Sequence, residues 1–200
     1  MPETQNHIHP RKLQIVHAAV ICFLERGYHQ TGIRDIAKQA GISLGNLYNH
    51  FSSKEALLAF IAELEGEELS VFIELLSNPD DPRAALEQFI DEYAAYAARP
   101  ENALLGVEIL SEALRNPVIA EIFGANRNRL IDALVSCLDT GAKSGSFVPY
   151  DDPSAVACMA LDALEGLGLR GLSKSKPGEY GVRSIRSFIF NGLAAQSQKN

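Results

Sequence analysis

Between Thr31 and Glu55 the chain reads TGIRDIAKQAGISLGNLYNHFSSKE, and its hydroxyl, amide and basic groups gather where helices should begin. Such groups do not form a catalytic set; they donate and accept hydrogen bonds. The spacing says how they are carried. Ile33, Ile36, Ala37 and Ala40 recur at i, i+3, i+4 and i+7, one buried stripe of a short helix that Thr31 can cap. Gly41 follows at once, and glycine takes the left-handed conformation that ends a helix sharply. Ile42 is the apolar residue of the turn and Ser43 can cap the next helix, in which Leu47 and Phe51 face inward. Leu44, Gly45, Asn46, Tyr48 and His50 are left on the other faces. Ser52 with Glu55 three residues on forms a capping box, so a third, long helix starts there. Two short helices on a tight turn, with polar groups at the second helix start, is the layout of a helix-turn-helix that enters a DNA groove.

Two residues of this segment are costly unless something meets them. Gly45 near a helix start costs roughly 1 kcal/mol against alanine, which is sensible where a partner must approach the backbone closely. Lys54 lies in the first turn of the long helix, where a cation opposes the helix dipole unless an anion is near. A phosphate would be such an anion.

The elements that must hold this segment are helices. A first helix is expected from about Pro10 to Arg26, with Leu13, Val16, Val20 and Phe23 buried and Gly27 ending it. The long helix, about Ser53 to Ser77, is the natural transmission element between two domains. Further helices are expected over about 83–99, 101–116, 117–144, 153–172 and 179–195, with breaks at Asn78-Pro79-Asp80-Asp81-Pro82, Pro100, Pro117, Gly145–Pro153 and Ser173–Gly178. No strand is expected. The fold class is all-α: a three-helix helix-turn-helix domain over residues 1–53, then a six-helix domain for ligand sensing and dimerisation over 54–200.

The segment closely resembles the tetracycline-repressor (TetR) family of bacterial regulators. The matching residues are Gly27-Tyr28, Thr31, Asp35-Ile36-Ala37, Ala40-Gly41-Ile42-Ser43, Gly45, Leu47-Tyr48, His50-Phe51, and Lys54-Glu55 with Leu57-Leu58. The resemblance implies an all-helical dimer that binds DNA through one domain and a small molecule through the other. It also implies that Tyr48 packs against the DNA backbone, that Thr31, His50 and Lys54 touch phosphates, and that Arg34, Ser43, Leu44, Gly45 and Asn46 lie nearest the bases. Two positions depart from the family's pattern. Gly32 replaces a usual hydroxyl residue, and Leu44 has no hydrogen-bonding group, though it could pack on a thymine methyl. The later stretches Glu108-Ile109-Leu110-Ser111-Glu112-Ala113 and Arg115-Asn116-Pro117 resemble, more loosely, the choline-responsive repressor subgroup.

Composition fits this division of labour. The net charge of −7 looks wrong for a DNA binder, but residues 1–60 hold six basic against four acidic side chains and the remainder twelve against twenty-one. All five histidines, His7, His9, His17, His29 and His50, lie in the basic end. Phosphate would meet that end and repel the acidic body, favouring one docking orientation. No apolar run approaches the roughly 20 residues of a membrane span, and the opening MPETQNHIHP is not a secretory signal, so a cytoplasmic protein is expected. Cys22, Cys137 and Cys158 read as free buried thiols. His7 and His9 read as part of a solvated arm rather than a metal site, and neither metal nor cofactor is expected. His-Glu-x-x-His and Glu-x-x-His are both missing from the chain, and all its histidines lie in the DNA-binding end, so an enzyme is not expected.

A sensor needs an apolar cavity with a few orienting polar groups. The candidates are Tyr93 and Tyr96, three apart; Glu108; Phe123 and Arg127, four apart; and Met159 and Asp162. Glu108 and Asp162 interrupt apolar runs and could meet a cation. The last two helices carry wide apolar faces, Leu161, Leu164, Gly168 and Leu172 on one and Val182, Ile185, Phe188, Ile189 and Leu193 on the other. Pairing with a second copy would close them into a four-helix bundle. The function expected is a ligand-responsive DNA-binding regulator, a repressor that binds a palindromic operator as a dimer and is released by a small molecule. The alternative is a helical ligand-binding dimer without DNA binding.

Overall fold

The computed structural model describes residues 9–172 and 180–193. Among them are nine helices and no strand: α1 (Pro10–Arg26), α2 (Ile33–Gln39), α3 (Leu44–His50), α4 (Lys54–Leu76), α5 (Pro82–Ala97), α6 (Pro100–Ala113), α7 (Pro117–Ser144), α8 (Pro153–Leu172) and α9 (Tyr180–Leu193). The boundaries fall where caps and breakers put them. Pro82, Pro100, Pro117 and Pro153 each take the first position of a helix, where the missing N–H would have no intrahelical partner anyway. Pro100 and Pro117 therefore open the following helices as much as they end the preceding ones. Asp81 caps α5 by accepting from the N–H groups of Arg83 and Ala84, both at 3.0 Å. None of the described helices is long and apolar enough to cross a membrane.

The chain packs as two compact units, and they are not the two contiguous stretches expected. One holds residues 1–64 with 105–122, the other 65–104 with 123–200. The first turns of α4 and the second half of α6 thus belong with the helix-turn-helix rather than with the remainder of the chain.

In the first unit the core is built on Ile15, Ala19, Cys22 and Phe23 of α1, Ile36 of α2, Leu47 of α3 and Leu57 of α4, all at most 1 % exposed. Leu13, expected in this core, is 42 % exposed, because the buried face of α1 runs through residues 15, 16, 18, 19, 22 and 23 instead. In the second unit α5 lies at the centre. Its Leu86, Phe89, Ile90 and Tyr93 pack with Leu76 of α4, Leu130 and Leu134 of α7, and Leu161 and Leu164 of α8. α5 and α8 approach so closely at Gly168 that a Cβ there would collide with the Ala97 carbonyl.

This packing corrects part of the expected dimer face. Leu161 and Leu164 are fully buried in their own chain, Gly168 lies against Ala97, and Ile189 is 8 % exposed. Val182 and Ile185 are half-buried against the same core. Of the named α9 residues whose side chains are described, Phe188 alone stands out, 71 % exposed. The side chains of Leu172 and Leu193 lie outside the described residues.

Candidate nucleic-acid interface

The turn between α2 and α3 is built by backbone hydrogen bonds. Gly41, at φ +66°, donates its N–H to Lys38 O at 3.1 Å, and Ile42 donates to Ala37 O at 3.0 Å. This is the glycine-terminated helix end that the sequence calls for. Ser43 then caps α3, its Oγ accepting from the Asn46 N–H at 3.2 Å. At the start of α2, Gly32 rather than Thr31 is the cap residue; the Asp35 carboxylate accepts from the Gly32 N–H at 2.9 Å. That hydrogen bond, with Arg26 at 3.2 Å, holds the Asp35 carboxyl below its ordinary pKa.

On the outward side, Arg34, Lys38, Ser43, Gly45, Asn46 and Tyr48 are exposed, and Leu44 and His50 are half-buried. A Cβ at Gly45 would meet nothing within 4 Å, so none of the described residues covers that backbone. Lys38 was not singled out from sequence, and His9, expected in a solvated arm, caps the start of α1. The His9 ring lies 5.5 Å from that of His50, at the start of α1, a contact between residues 41 apart that no local pattern reports.

Thr31 and Lys54 face the other way. Thr31 is 1 % exposed, and its hydroxyl proton is shared between Gly27 O at 2.8 Å and Cys22 O at 3.1 Å. It ties off the end of α1, and a hydroxyl so enclosed has no surface to offer a phosphate; the role implied for Thr31 is corrected. The Lys54 ammonium donates to Tyr28 O at 2.7 Å and Thr31 O at 3.1 Å and sits 4.0 Å from the centre of the Tyr28 ring. Burial lowers its pKa. The same burial raises the Tyr28 phenol to about 12, with Glu55 and Glu112 adding to it.

In the second unit the structure joins four of the expected sensor residues. Arg127 forks between α8 carboxylates, Nη2 to Asp162 and Nη1 to Glu165, each at 2.6 Å. The Tyr93 hydroxyl donates to the same Glu165 oxygen at 2.9 Å. Tyr93 stacks between Phe89 and Tyr96, and Phe72 stands edge-on to all three. Burial raises the pKa of both tyrosines, the neighbouring carboxylates adding to it. Glu165, the residue joining this cluster, was missed because nothing in α8 alone distinguishes it from a solvated glutamate. Phe123 is buried and Met159 is 59 % exposed. Glu108 belongs to the first unit and accepts from the Tyr28 N–H, so it is not part of this cluster. Among the described residues no three metal-ligating side chains gather.

Known proteins carry the same two parts in the same order. Residues 15–61 match the family described as bacterial regulatory proteins, tetR family. Residues 82–196 match that of the BetI-type transcriptional repressor, C-terminal. This chain belongs to the TetR family of transcriptional regulators. The HTH-type transcriptional regulator UidR of Escherichia coli is 27 % identical over 168 residues, 84 % of each chain. The HTH-type transcriptional repressor KstR2 of Rhodococcus jostii is 29 % identical over 143 residues, 68 % of each. GusR of Salmonella enterica superposes with a TM-score of 0.79 at 25 % identity, over 96 % of this chain and 99 % of that one. The fold is also that of FadR from Bacillus subtilis, solved in complex with stearoyl-CoA, with a TM-score of 0.74 at 22 % identity over 91 % and 99 % of the two chains. Membership makes the protein a DNA-binding transcriptional regulator, and the turn between α2 and α3 the family's helix-turn-helix.

Proposed function

We propose that the protein is a repressor that binds a palindromic operator as a dimer and leaves it when a small molecule binds the second unit. The observation that carries this reading is the outward face of α2 and α3. Ser43 and Asn46 at the α3 start, Arg34 on α2 and Tyr48 on α3 are exposed together around an uncovered Gly45 backbone. Ser43 uses its oxygen as a cap, which leaves its hydroxyl proton to donate. Arg34, Ser43, Leu44, Gly45 and Asn46 meet the bases; Tyr48 and His50 meet the backbone.

The effector enters the second unit beside Tyr93, Tyr96, Arg127 and Asp162, with Glu165 among them. Any molecule placed there must exchange hydrogen bonds with an ion-paired fork, so the effector carries charged or hydroxyl groups. Dimerisation uses the exposed Phe188 side of α9. The test is selection from random duplex DNA by the purified protein at low and moderate salt. A palindrome with half-sites about one helical turn, roughly 34 Å, or a multiple apart supports the reading. Recovery of nothing at either salt overturns it and leaves the ligand-binding dimer. Asn46→Ala should then change the preferred sequence more than the overall affinity, as a base-facing residue does.

A further inference from the structure

The backbone between α1 and α2 is gripped from two sides. From α4, Lys54 takes the carbonyls of Tyr28 and Thr31. From α6 come two carboxylates one turn apart. Glu108 Oε2 accepts from the Tyr28 N–H at 3.2 Å, and Glu112, only 7 % exposed, lies 3.7 Å from His29 Nδ1. The approach at Glu108 is close enough that a Cβ on Gly27 would come within 3.3 Å of the carboxylate oxygen. Gly27 itself sits at φ +80°, so the chain turns there in a conformation that costs a side chain. Eighty residues separate Tyr28 from Glu108, and Glu112 is the one buried acid among the described residues of the molecule. Neither is an ordinary helix-surface glutamate, and the DNA-binding face uses neither.

We propose that Glu108 and Glu112 are positioning residues for the DNA-binding face. They fix the segment of residues 27–31, and that segment leads directly into α2. α6 is one continuous helix whose first turn, Pro100–Leu104, belongs to the second unit while the rest belongs to the first. A shift of α6 along its axis by even an ångström or so breaks a 3.2 Å hydrogen bond, so this grip reports the position of α6 to the turn before α2. The consequence for operator binding rests on the function proposed above; the grip itself does not.

The test uses the full chain, with Glu108→Ala and Glu108→Gln. The glutamine keeps an oxygen that can accept from the Tyr28 N–H; the alanine does not. Hydrogen exchange at the Tyr28 amide should quicken about tenfold or more in Glu108→Ala and stay near wild type in Glu108→Gln. On the DNA selected by the wild-type protein, Glu108→Ala should bind about fivefold more weakly or worse, with rescue by Glu108→Gln. The slope of affinity against salt should be unchanged in both, because Glu108 touches no phosphate. Unchanged exchange in Glu108→Ala overturns the grip. Faster exchange with unchanged affinity makes the contact structural and overturns the positioning role. A changed salt slope overturns it as well, by placing Glu108 at the phosphates. Wild-type protein that selects no DNA defeats the proposed function instead, and the exchange measurement still decides the grip.

Discussion

At the scale of single residues, Thr31 and Lys54 show how one sequence signal serves two structures. Both stand where a residue reaching for phosphate would stand, but Thr31 spends its hydroxyl on the end of α1 and Lys54 holds the segment between α1 and α2. A Lys54 cation in the first turn of α4 is expected to need an anion. It has instead two carbonyl oxygens and an aromatic face, supplied by residues 23 and 26 positions earlier. That partner was invisible in the sequence because the contact is not local, whereas Gly41 and Ser43 were legible since a glycine end and a serine cap are satisfied within one turn. A prediction separates the two roles for Thr31. Thr31→Val should cost about 1 kcal/mol in denaturant unfolding, the usual net worth of one hydrogen bond, and Thr31→Ser should recover most of it. The affinity for DNA should match wild type in both variants; loss of a phosphate hydrogen bond would weaken it for all sequences alike.

At the scale of elements, periodicity placed every helix, since a stripe at 3.6 residues and a proline or capping residue at each end are local facts. Periodicity does not say what the stripe faces. Leu161, Leu164 and Gly168 were expected toward a second copy, and they pack inside the chain because α8 lies directly against α5. The contact at Gly168 permits this closeness, and it makes a prediction. Gly168→Ala should destabilise the fold by about 1–3 kcal/mol, since the new methyl must push the Ala97 carbonyl aside. Gly166, on the same helix, has open space where its Cβ would be. Gly166→Ala should therefore stabilise by about 0.5–1 kcal/mol, the ordinary helix gain. Thermal or denaturant unfolding of the pair decides it: a like effect from both would mean that α5 and α8 are not in backbone contact at Gly168. The sensor cluster was half legible for the same reason. Tyr93, Tyr96, Arg127 and Asp162 were named as single candidates, but their assembly around Glu165 depends on the same α5–α8 contact and on α7.

At the scale of the whole molecule, two properties follow from sums and surfaces. Tyr28, Tyr93 and Tyr96 all have phenol pKa values raised in the folded state, first by burial. A raised pKa means that the folded chain holds protons the unfolded chain has released, so stability is intact below about 10 and is lost as pH climbs. Tyr28 contributes to this loss between the ordinary value of 10.0 and about 12, and the other two carry it further. The denaturant midpoint should fall steadily over that range, and a flat profile would show that the three phenols are in contact with water. The second property concerns α9. Phe188 is 71 % exposed and framed by Arg183, Ser184, Ser187 and Asn191, a shallow apolar centre with a polar rim. A two-fold axis near it would bring Phe188 against its counterpart and bury both rings. Phe188→Glu would then set two carboxylates together at the centre of the contact. Sedimentation velocity should find wild-type dimers and Phe188→Glu monomers at the same micromolar concentration. Because Phe188 is exposed within its own chain, the monomer should stay folded by circular dichroism. DNA binding makes the second readout, since a monomer engages one half-site at a time. Losing the linked half-site should weaken binding to the selected palindrome by about 100-fold or more, while binding to an isolated half-site stays the same. A Phe188→Glu protein that remains dimeric would move the contact off this side of α9.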